Sequence, residues 1–442
     1  MPLQTPETSD RTPTPDPQRA LARLAWPAVA LLAAVQFAAY VDRALPAVTA
    51  PLIRAELGLS DAQIGALQGP AFVALYVVGL LAAGHWVRAA NPWRLSLACL
   101  TIWTLGAAVF ALSPGYAGMV AGRILLGAGQ AVFVPAALML IAGQSEAARR
   151  ARGLSMFTTG SAAGRSGALL LGGAALVWLG GGAAGLEGWR AASLALIAPN
   201  LVLALLLVRA GMSAPPPRPP ESHGGLGAAL GLVRRRPLAW LSIAAAGGAS
   251  VFVVQAAGAW APSLLHRAYD LEPGAAALVF GVIVLVFAPV GHLSAGWLTA
   301  ARGGAGGPAP WIAGAAALAT GCAALLPYAA GRLEALALLA GLTAAGGLAA
   351  AAVLIGVQAM TPPPQRPAMG ALFLAVISVA GVAGGPWLTG LLSDMRAGAA
   401  AGAGGGLAEA LAAAVGGAGG AALVLALAGG RLWRPVAPEA AA

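Results

Sequence analysis

The sequence predicts an all-α integral membrane protein, with twelve transmembrane helices in two pseudo-symmetric six-helix bundles. Three observations predict it. The 442 residues are 59% hydrophobic and only 9% charged, against roughly 25% charged in an ordinary soluble domain. Apolar runs follow one another along nearly the whole chain, each close to the ~20 residues that cross a bilayer. One Pro- and Arg-rich interruption divides them six and six.

The first six runs lie near residues 24–47, 62–85, 93–112, 115–142, 153–178 and 189–209. The second six lie near 238–265, 274–299, 309–330, 332–359, 367–393 and 405–430. The interruption, 210–237, holds Pro215-Pro216-Pro217-Arg218-Pro219-Pro220 and then Arg234-Arg235-Arg236-Pro237. Such a stretch cannot cross hydrocarbon, because its backbone polar groups would go unbonded there. It reads as a cytosolic linker between an N-terminal bundle, 24–209, and a C-terminal bundle, 238–430. Residues 1–23 are polar, Pro-rich and without a basic leader region, which predicts a disordered cytosolic tail rather than a cleaved signal. Residues 431–442 form a second short tail.

Arginine placement orients the chain. With the N-terminus cytosolic, seventeen arginines fall on inside segments, five on outside segments, and Arg43, Arg123 and Arg165 inside spans. Cytosolic loops carry such an excess, so a multi-pass protein of the cell membrane with both termini cytosolic is expected. The net charge of +10 comes from 25 basic residues, all arginine. They are scattered between apolar runs rather than gathered on one surface, which argues against a nucleic-acid partner. Cys99 and Cys322 lie inside apolar runs with neither disulfide nor zinc spacing. No metal and no cofactor is expected.

The halves echo one another. A short polar loop precedes the second span of each: Glu56-Leu57-Gly58-Leu59-Ser60-Asp61 in the first, Tyr269-Asp270-Leu271-Glu272-Pro273 in the second. Ser60 and Gln63 have the spacing of a capping box opening span 2. Ala83-Gly84-His85-Trp86 and Ala295-Gly296-Trp297-Leu298 close spans 2 and 8. Two related six-helix halves are expected where transporters are built from repeats.

Several motifs sharpen this. Span 1 carries Tyr40-Val41-Asp42-Arg43, and the next loop reads Ala55-Glu56-Leu57-Gly58-Leu59-Ser60-Asp61-Ala62-Gln63-Ile64-Gly65. Span 4 carries Gly122-Arg123-Ile124-Leu125-Leu126-Gly127-Ala128-Gly129-Gln130-Ala131. Glu146 and Arg149-Arg150-Ala151-Arg152-Gly153 follow. Later come Pro363, Pro364, Arg366 and Gly384-Gly385-Pro386-Trp387-Leu388-Thr389-Gly390-Leu391-Leu392-Ser393-Asp394. Over nearly the whole chain, and most densely in the first half, this pattern resembles the major facilitator superfamily and within it the Spinster-like transporters. The resemblance implies the major facilitator fold and a lysolipid or sphingolipid-type cargo. Three positions depart from it. Gln130 stands where an acid is usual. Arg88 stands where the Asp of the loop after span 2 aligns. Arg165 lies inside span 5, where a small or apolar residue is expected.

Charges inside spans are costly and are functional candidates by default. Asp42 is the candidate proton-coupling group, because a buried carboxylate can bind and release a proton. The alternative is a permanent structural pair joining spans 1 and 4. Arg123 offers a donor fork for a carboxylate or phosphate; alternatively it pairs with Asp42 or with backbone carbonyls. Gln130 shares its helix face but carries no proton. Arg43 lines the cavity mouth or snorkels to the headgroups. Arg165 lines the cavity, bonds Gln130 or snorkels. Gln36, Tyr40 and Arg43 form one stripe of span 1, either lining the cavity or bonding between helices. Gln255 and Gln358 are the clearest polar residues in the spans of the second half. These eight, without Asp42, are the candidate substrate contacts. Arg88, Arg94, Arg149 and Arg150 are the candidate gating residues. His85 and His266 at helix ends, His223 in the linker and His292 in span 8 read as interfacial or interhelical hydrogen-bonding groups. Gly160, Gly164, Gly167 and Gly172-Gly173 allow span 5 to pack closely on span 8 or within its own half.

No nucleophile–base pair, paired carboxylates or G-x-x-x-x-G-K motif is present, so an enzyme or an ATP-driven pump is unsupported. The sequence therefore predicts a monomeric secondary transporter of a small amphiphilic or anionic solute, working by alternating access in contact with membrane lipids. Its rivals are a drug or organic-anion efflux transporter and a non-transporting receptor or scaffold.

Overall fold

The computed structural model describes residues 26–142, 147–213, 225–301, 307–397 and 406–434. The tail 1–23, Glu146, the Pro215–Pro220 run, His223, Arg302 and residues 435–442 lie outside them. Among the described residues, twelve helices are long and apolar enough to cross a membrane. They are α1 (Trp26–Leu57), α2 (Asp61–Ala89), α3 (Pro92–Leu112), α4 (Tyr116–Ile141), α5 (Ala148–Leu179), α6 (Gly188–Gly211), α7 (Pro237–Tyr269), α8 (Pro273–Thr299), α9 (Ala309–Tyr328), α10 (Arg332–Met360), α11 (Pro363–Ala397) and α12 (Leu407–Leu432).

These match the expected runs with informative differences. The first helix contains Pro46 and continues past the expected end at 47, through Pro51 to Leu57. A spanning helix tolerates proline where neighbours satisfy the freed carbonyls. The second is broken at Gly69, which leaves a two-turn segment, Asp61–Gln68, ahead of Pro70. Its entry is the expected capping box. Ser60 Oγ accepts from the Gln63 amide at 3.2 Å, and Gln63 Oε1 accepts from the Ser60 amide at 2.9 Å. The eleventh contains a π-helical stretch at Ser378–Ala383, of the kind that gathers at functional sites. The linker region carries a short helix, Leu226–Arg235, that sequence patterning did not single out.

One apolar cluster has its buried residues in α1–α6, a second in α7–α12, the linker helix and Trp433, and a third spans both groups. Glycine sets the helix spacing. A Cβ on Gly122 of α4 would stand 2.6 Å from the Gly106 oxygen and the Phe110 nitrogen of α3. Gly122→Leu should therefore cost about 1–3 kcal/mol through overpacking and lower the midpoint of thermal unfolding in detergent. Gly416→Leu, whose Cβ meets open space, is the matched control. In α5, Gly164 abuts Phe37 and Tyr40 of α1, while Gly173 lies against Gly274 and Leu278 of α8. The glycine stripe thus serves both contacts that the sequence left open.

The start of α1, the start of α7 and the end of α12 share one face. Arg236, at the start of α7, donates to the Leu432 carbonyl at 2.7 Å, and the Arg149 guanidinium stacks 5.6 Å from the Trp26 ring. We call this the linker face and its opposite the distal face. The two groups of helices meet at the distal face, through Gly65 and Gly69 of α2 against α11, and through Gly173 against Gly274.

Candidate functional site

A cavity of about 280 Å³ lies between the two groups of helices. On α5 and α8 the lining residues come on the linker-face side of the seal: Gly173 and Gly274 make the distal contact, whereas Arg165, Leu169 and Phe280–His292 supply the wall. On α2 and α11 the seal adjoins the cavity directly: Gln68, Val382 and Pro386 line it beside the contacts of Gly65 and Gly69, and Tyr76 lines it further toward the linker face.

The wall is chemically divided. The first half presents Tyr40, Arg43, Gln68, Tyr76 and Arg165; the second presents mostly small and apolar residues of α7, α8, α10 and α11, with Gln255, Thr343, Ser378 and His292 among them. No carboxylate lines the cavity among the described residues. The Arg43 guanidinium carbon sits 4.9, 4.4 and 5.2 Å from the rings of Tyr40, Phe72 and Tyr76. Its Nε and Nη2 both donate to Gln130 Oε1, at 3.1 and 3.0 Å. The Arg165 guanidinium lies 5.4 Å from the Tyr40 ring, so one tyrosine ring serves two cations. Such contacts stabilise each cation by about 0.5–2 kcal/mol but leave the positive field uncancelled.

Four candidate substrate contacts fall elsewhere. Gln36 is buried and donates to Ser161 Oγ of α5 at 2.8 Å, a bond between helices. Gln130 is buried, orienting Arg43 while its amide nitrogen donates to the Ala39 carbonyl at 2.8 Å. Gln358 lies near the linker-face end of α10 and is not in the wall. Arg123 is 1% exposed and neither lines the cavity nor pairs with the Asp42 carboxylate. It gathers carbonyls released by two helix irregularities. Pro46 has no N–H to give the Asp42 carbonyl, and Arg123 Nη1 points there at 3.5 Å; Nη2 donates to the Arg43 carbonyl at 3.1 Å. The break at Gly69 frees the Leu67 and Gln68 carbonyls, which accept from Nε and Nη2 at 2.8 and 3.4 Å. A guanidinium satisfies several such acceptors at once.

Asp42 is 2% exposed and faces the interior of the first half rather than the cavity. Its Oδ2 accepts from Asn200 Nδ2 of α6 at 2.7 Å and from Trp103 Nε1 of α3 at 3.1 Å. Its Oδ1 and the Asn200 Oδ1 have no hydrogen-bond partner among the described residues. The carboxylate thus lies away from the cavity wall that Arg43 lines, joining α1, α3 and α6.

The charged seal lies where sequence reasoning did not place it. Among the described residues the ion pairs are Arg54–Asp61, Arg190–Glu56 and Arg267–Asp61, all at the distal face. Arg267 of α7 grips Asp61 of α2 with both Nη atoms, at 2.7 and 2.6 Å. Ser393 Oγ of α11 donates to the same carboxylate at 2.7 Å. Asp394 accepts from the Asp61 and Ala62 amides at 2.9 and 2.8 Å, capping α2 from the opposite half. The candidate gating residues Arg88, Arg94, Arg149 and Arg150 belong to the other face and form no ion pair with a described residue. Asp61 and Asp394 were visible in sequence as loop and span-end acids, but nothing local revealed that they meet.

The sequence pattern of the Major Facilitator Superfamily matches residues 32–385. An MFS-type efflux pump of Mycolicibacterium smegmatis is 30% identical over 385 residues, covering 84% of this chain and 85% of that protein. Among solved structures, a bacterial homologue of the human lysosomal transporter Spinster, inward-facing and unoccupied, superposes with a TM-score of 0.77. It is 21% identical, over 92% of this chain and 95% of that one. A D-xylose–proton symporter gives a TM-score of 0.67 at 16% identity, over 92% and 97% of the two chains. With two groups of six spanning helices closed over a central cavity, and with that family pattern running through most of its length, this chain belongs to the major facilitator superfamily of membrane transporters.

Proposed function

We propose that this protein is a secondary transporter of the Spinster-like type that carries an anionic amphiphile, of lysolipid or sphingolipid kind, by alternating access. The observation that carries the reading is the divided cavity: two arginines and no described carboxylate on one wall, a largely apolar wall opposite. An anionic head at Arg43 and Arg165 with an acyl tail against α7, α8, α10 and α11 pairs each part of the cargo with matching chemistry. The head sits with these two cavity arginines rather than with Arg123. Asp42, linked through the α1 backbone to Arg43, is the proton-coupling group. The arginine bias favours a cytosolic linker face, and with that orientation the distal seal closes the cavity to the outside. The protein acts as a monomer in the cell membrane.

Flux of labelled lysophosphatidylglycerol into proteoliposomes tests the reading. Saturable flux is expected, and Arg43→Gln with Arg165→Gln should weaken it at least tenfold, as the loss of charged hydrogen bonds of about 1.5–3 kcal/mol implies. Equal flux in the double variant would reject the arginine site. The kinship with an efflux pump favours a second reading, export of small organic anions or drugs; saturable flux of benzoate without lysolipid flux would select it. No flux of either from folded protein would select the non-transporting reading.

A further inference from the structure

Besides the two arginines and the two tyrosines, one ionisable group lines the cavity among the described residues, and it comes from the opposite half. His292 of α8 is exposed in the wall. Its Nδ1 lies 2.8 Å from the Ala288 carbonyl of its own helix. A carbonyl can only accept, so Nδ1 carries the hydrogen in the neutral ring, and Nε2, on the far side of the ring from that carbonyl, takes up the second proton. The ring is seated by Gly347 of α10, where a Cβ would stand 2.9 Å from Nδ1. The elements around the cavity bring Arg43 and Tyr40 from α1, Tyr76 from α2 and Arg165 from α5 toward the same space. The linings of α7, α10 and α11 contribute no charged side chain. The tyrosines ordinarily titrate near pH 10, whereas imidazole changes charge between about pH 5 and 8.

We infer that His292 is an anion contact supplied by the C-terminal half, charged by proton uptake at Nε2, so that a bound anion is held from both halves at once. The inference rests on the proposed anion-binding cavity and adds its second wall. One half holds a permanent charge and the other a conditional one. An anion arriving with a proton therefore links α8 to α1 and α5, whereas the same anion facing neutral His292 is held from one side.

The test needs no cargo. Thr343, one turn from Gly347, lines the same wall. With Cys99 and Cys322 replaced by alanine and Thr343 by cysteine, the labelling rates of an anionic sulfonatoethyl and a cationic trimethylammonioethyl methanethiosulfonate are compared in nanodiscs, each normalised to a free thiol. Their ratio cancels the thiolate fraction and reports the local field. It should rise about tenfold from pH 8 to 5.5, since one added charge nearby attracts one reagent and repels the other. In His292→Gln the rise should vanish, in His292→Arg the ratio should be high at every pH, and Asp42→Asn should leave the rise intact. A flat ratio in the parent, or a rise that survives in His292→Gln, overturns the inference. Arg43→Gln should lower the ratio at all pH values without changing its slope. If it does not, the anion-cavity reading fails, while the slope still decides His292.

Discussion

Replacing Asp61 by alanine should release the distal seal and shift the protein toward the conformation open at that face. The side chains of Asp61 and Arg267 are 3% and 15% exposed, so the pair is desolvated and its geometry is bidentate. Removing one partner of a buried pair costs about 3–5 kcal/mol, because the other charge is left without compensation. Arg54, 45% exposed, adds little, since exposed pairs contribute at most about 1 kcal/mol. Even about 3 kcal/mol would change the ratio of the two conformations roughly a hundredfold. Spin labels at Ala55 and Glu272, both exposed at the distal face, would read this as a new, longer distance. Asp394 caps backbone amides rather than the Asp61 side chain, so the cap survives in Asp61→Ala, which removes the ion pair together with the Ser393 hydrogen bond. Arg267→Ala should give the same distances, and the double variant should add little to either single one. An unchanged distance distribution in both would mean that the glycine contacts of α2–α11 and α5–α8, with the Asp394 cap, suffice to hold the seal.

The second large effect is expected at Asp42. Asp42→Asn should reduce flux driven by a pH gradient to the level seen without one, while exchange of labelled for unlabelled cargo continues. Asparagine keeps an acceptor oxygen for Trp103 and Asn200, so the junction of α1, α3 and α6 should persist and the thermal midpoint should change little. The structure suggests how such a carboxylate communicates with cargo it does not touch. Asp42 and Arg43 are adjacent on α1, their carbonyls are both addressed by Arg123, and Arg43 is aimed into the cavity by Gln130. A change at Asp42 that shifts α1 therefore shifts a cation in the wall. Gradient-driven flux at the parent level in Asp42→Asn would remove Asp42 from coupling, leaving His292 as the ionisable group that the C-terminal half brings to the cavity among the described residues.

Much of the architecture was legible because a bilayer imposes strong local rules. Spans must be long and apolar, so composition and run length placed all twelve helices to within a few residues, apart from the proline-bearing end of α1. The capping box at Ser60 and Gln63 was legible for the same reason, since its partners are three residues apart. Tyr40, Arg43, Arg165 and Gln255 were chosen as polar residues within apolar runs, and each lines the cavity. Gln36, Gln130, Gln358 and Arg123 were chosen by the same rule but lie away from it. The rule reports that a polar group sits in a span, not which of its neighbours satisfies it.

Direction and partnership belong to the tertiary structure. Arg123 turned inward because Pro46 and the break at Gly69 left carbonyls without donors beside it. Asp42 faced Trp103 and Asn200 because α3 and α6 pack behind α1. Asp61 met Arg267, 206 residues away in sequence, because the halves close at their distal ends, and His292 entered the cavity because Gly347 leaves room for the ring. The sequence by itself determined the membrane class, the helix count and which charges lie within the spans, since each follows from the local cost of placing a residue in hydrocarbon. Which charge seals a face, which supports a helix break and which meets the cargo was decided only when helices distant in sequence packed together, because an electrostatic role depends on separations of a few ångströms that no local pattern encodes.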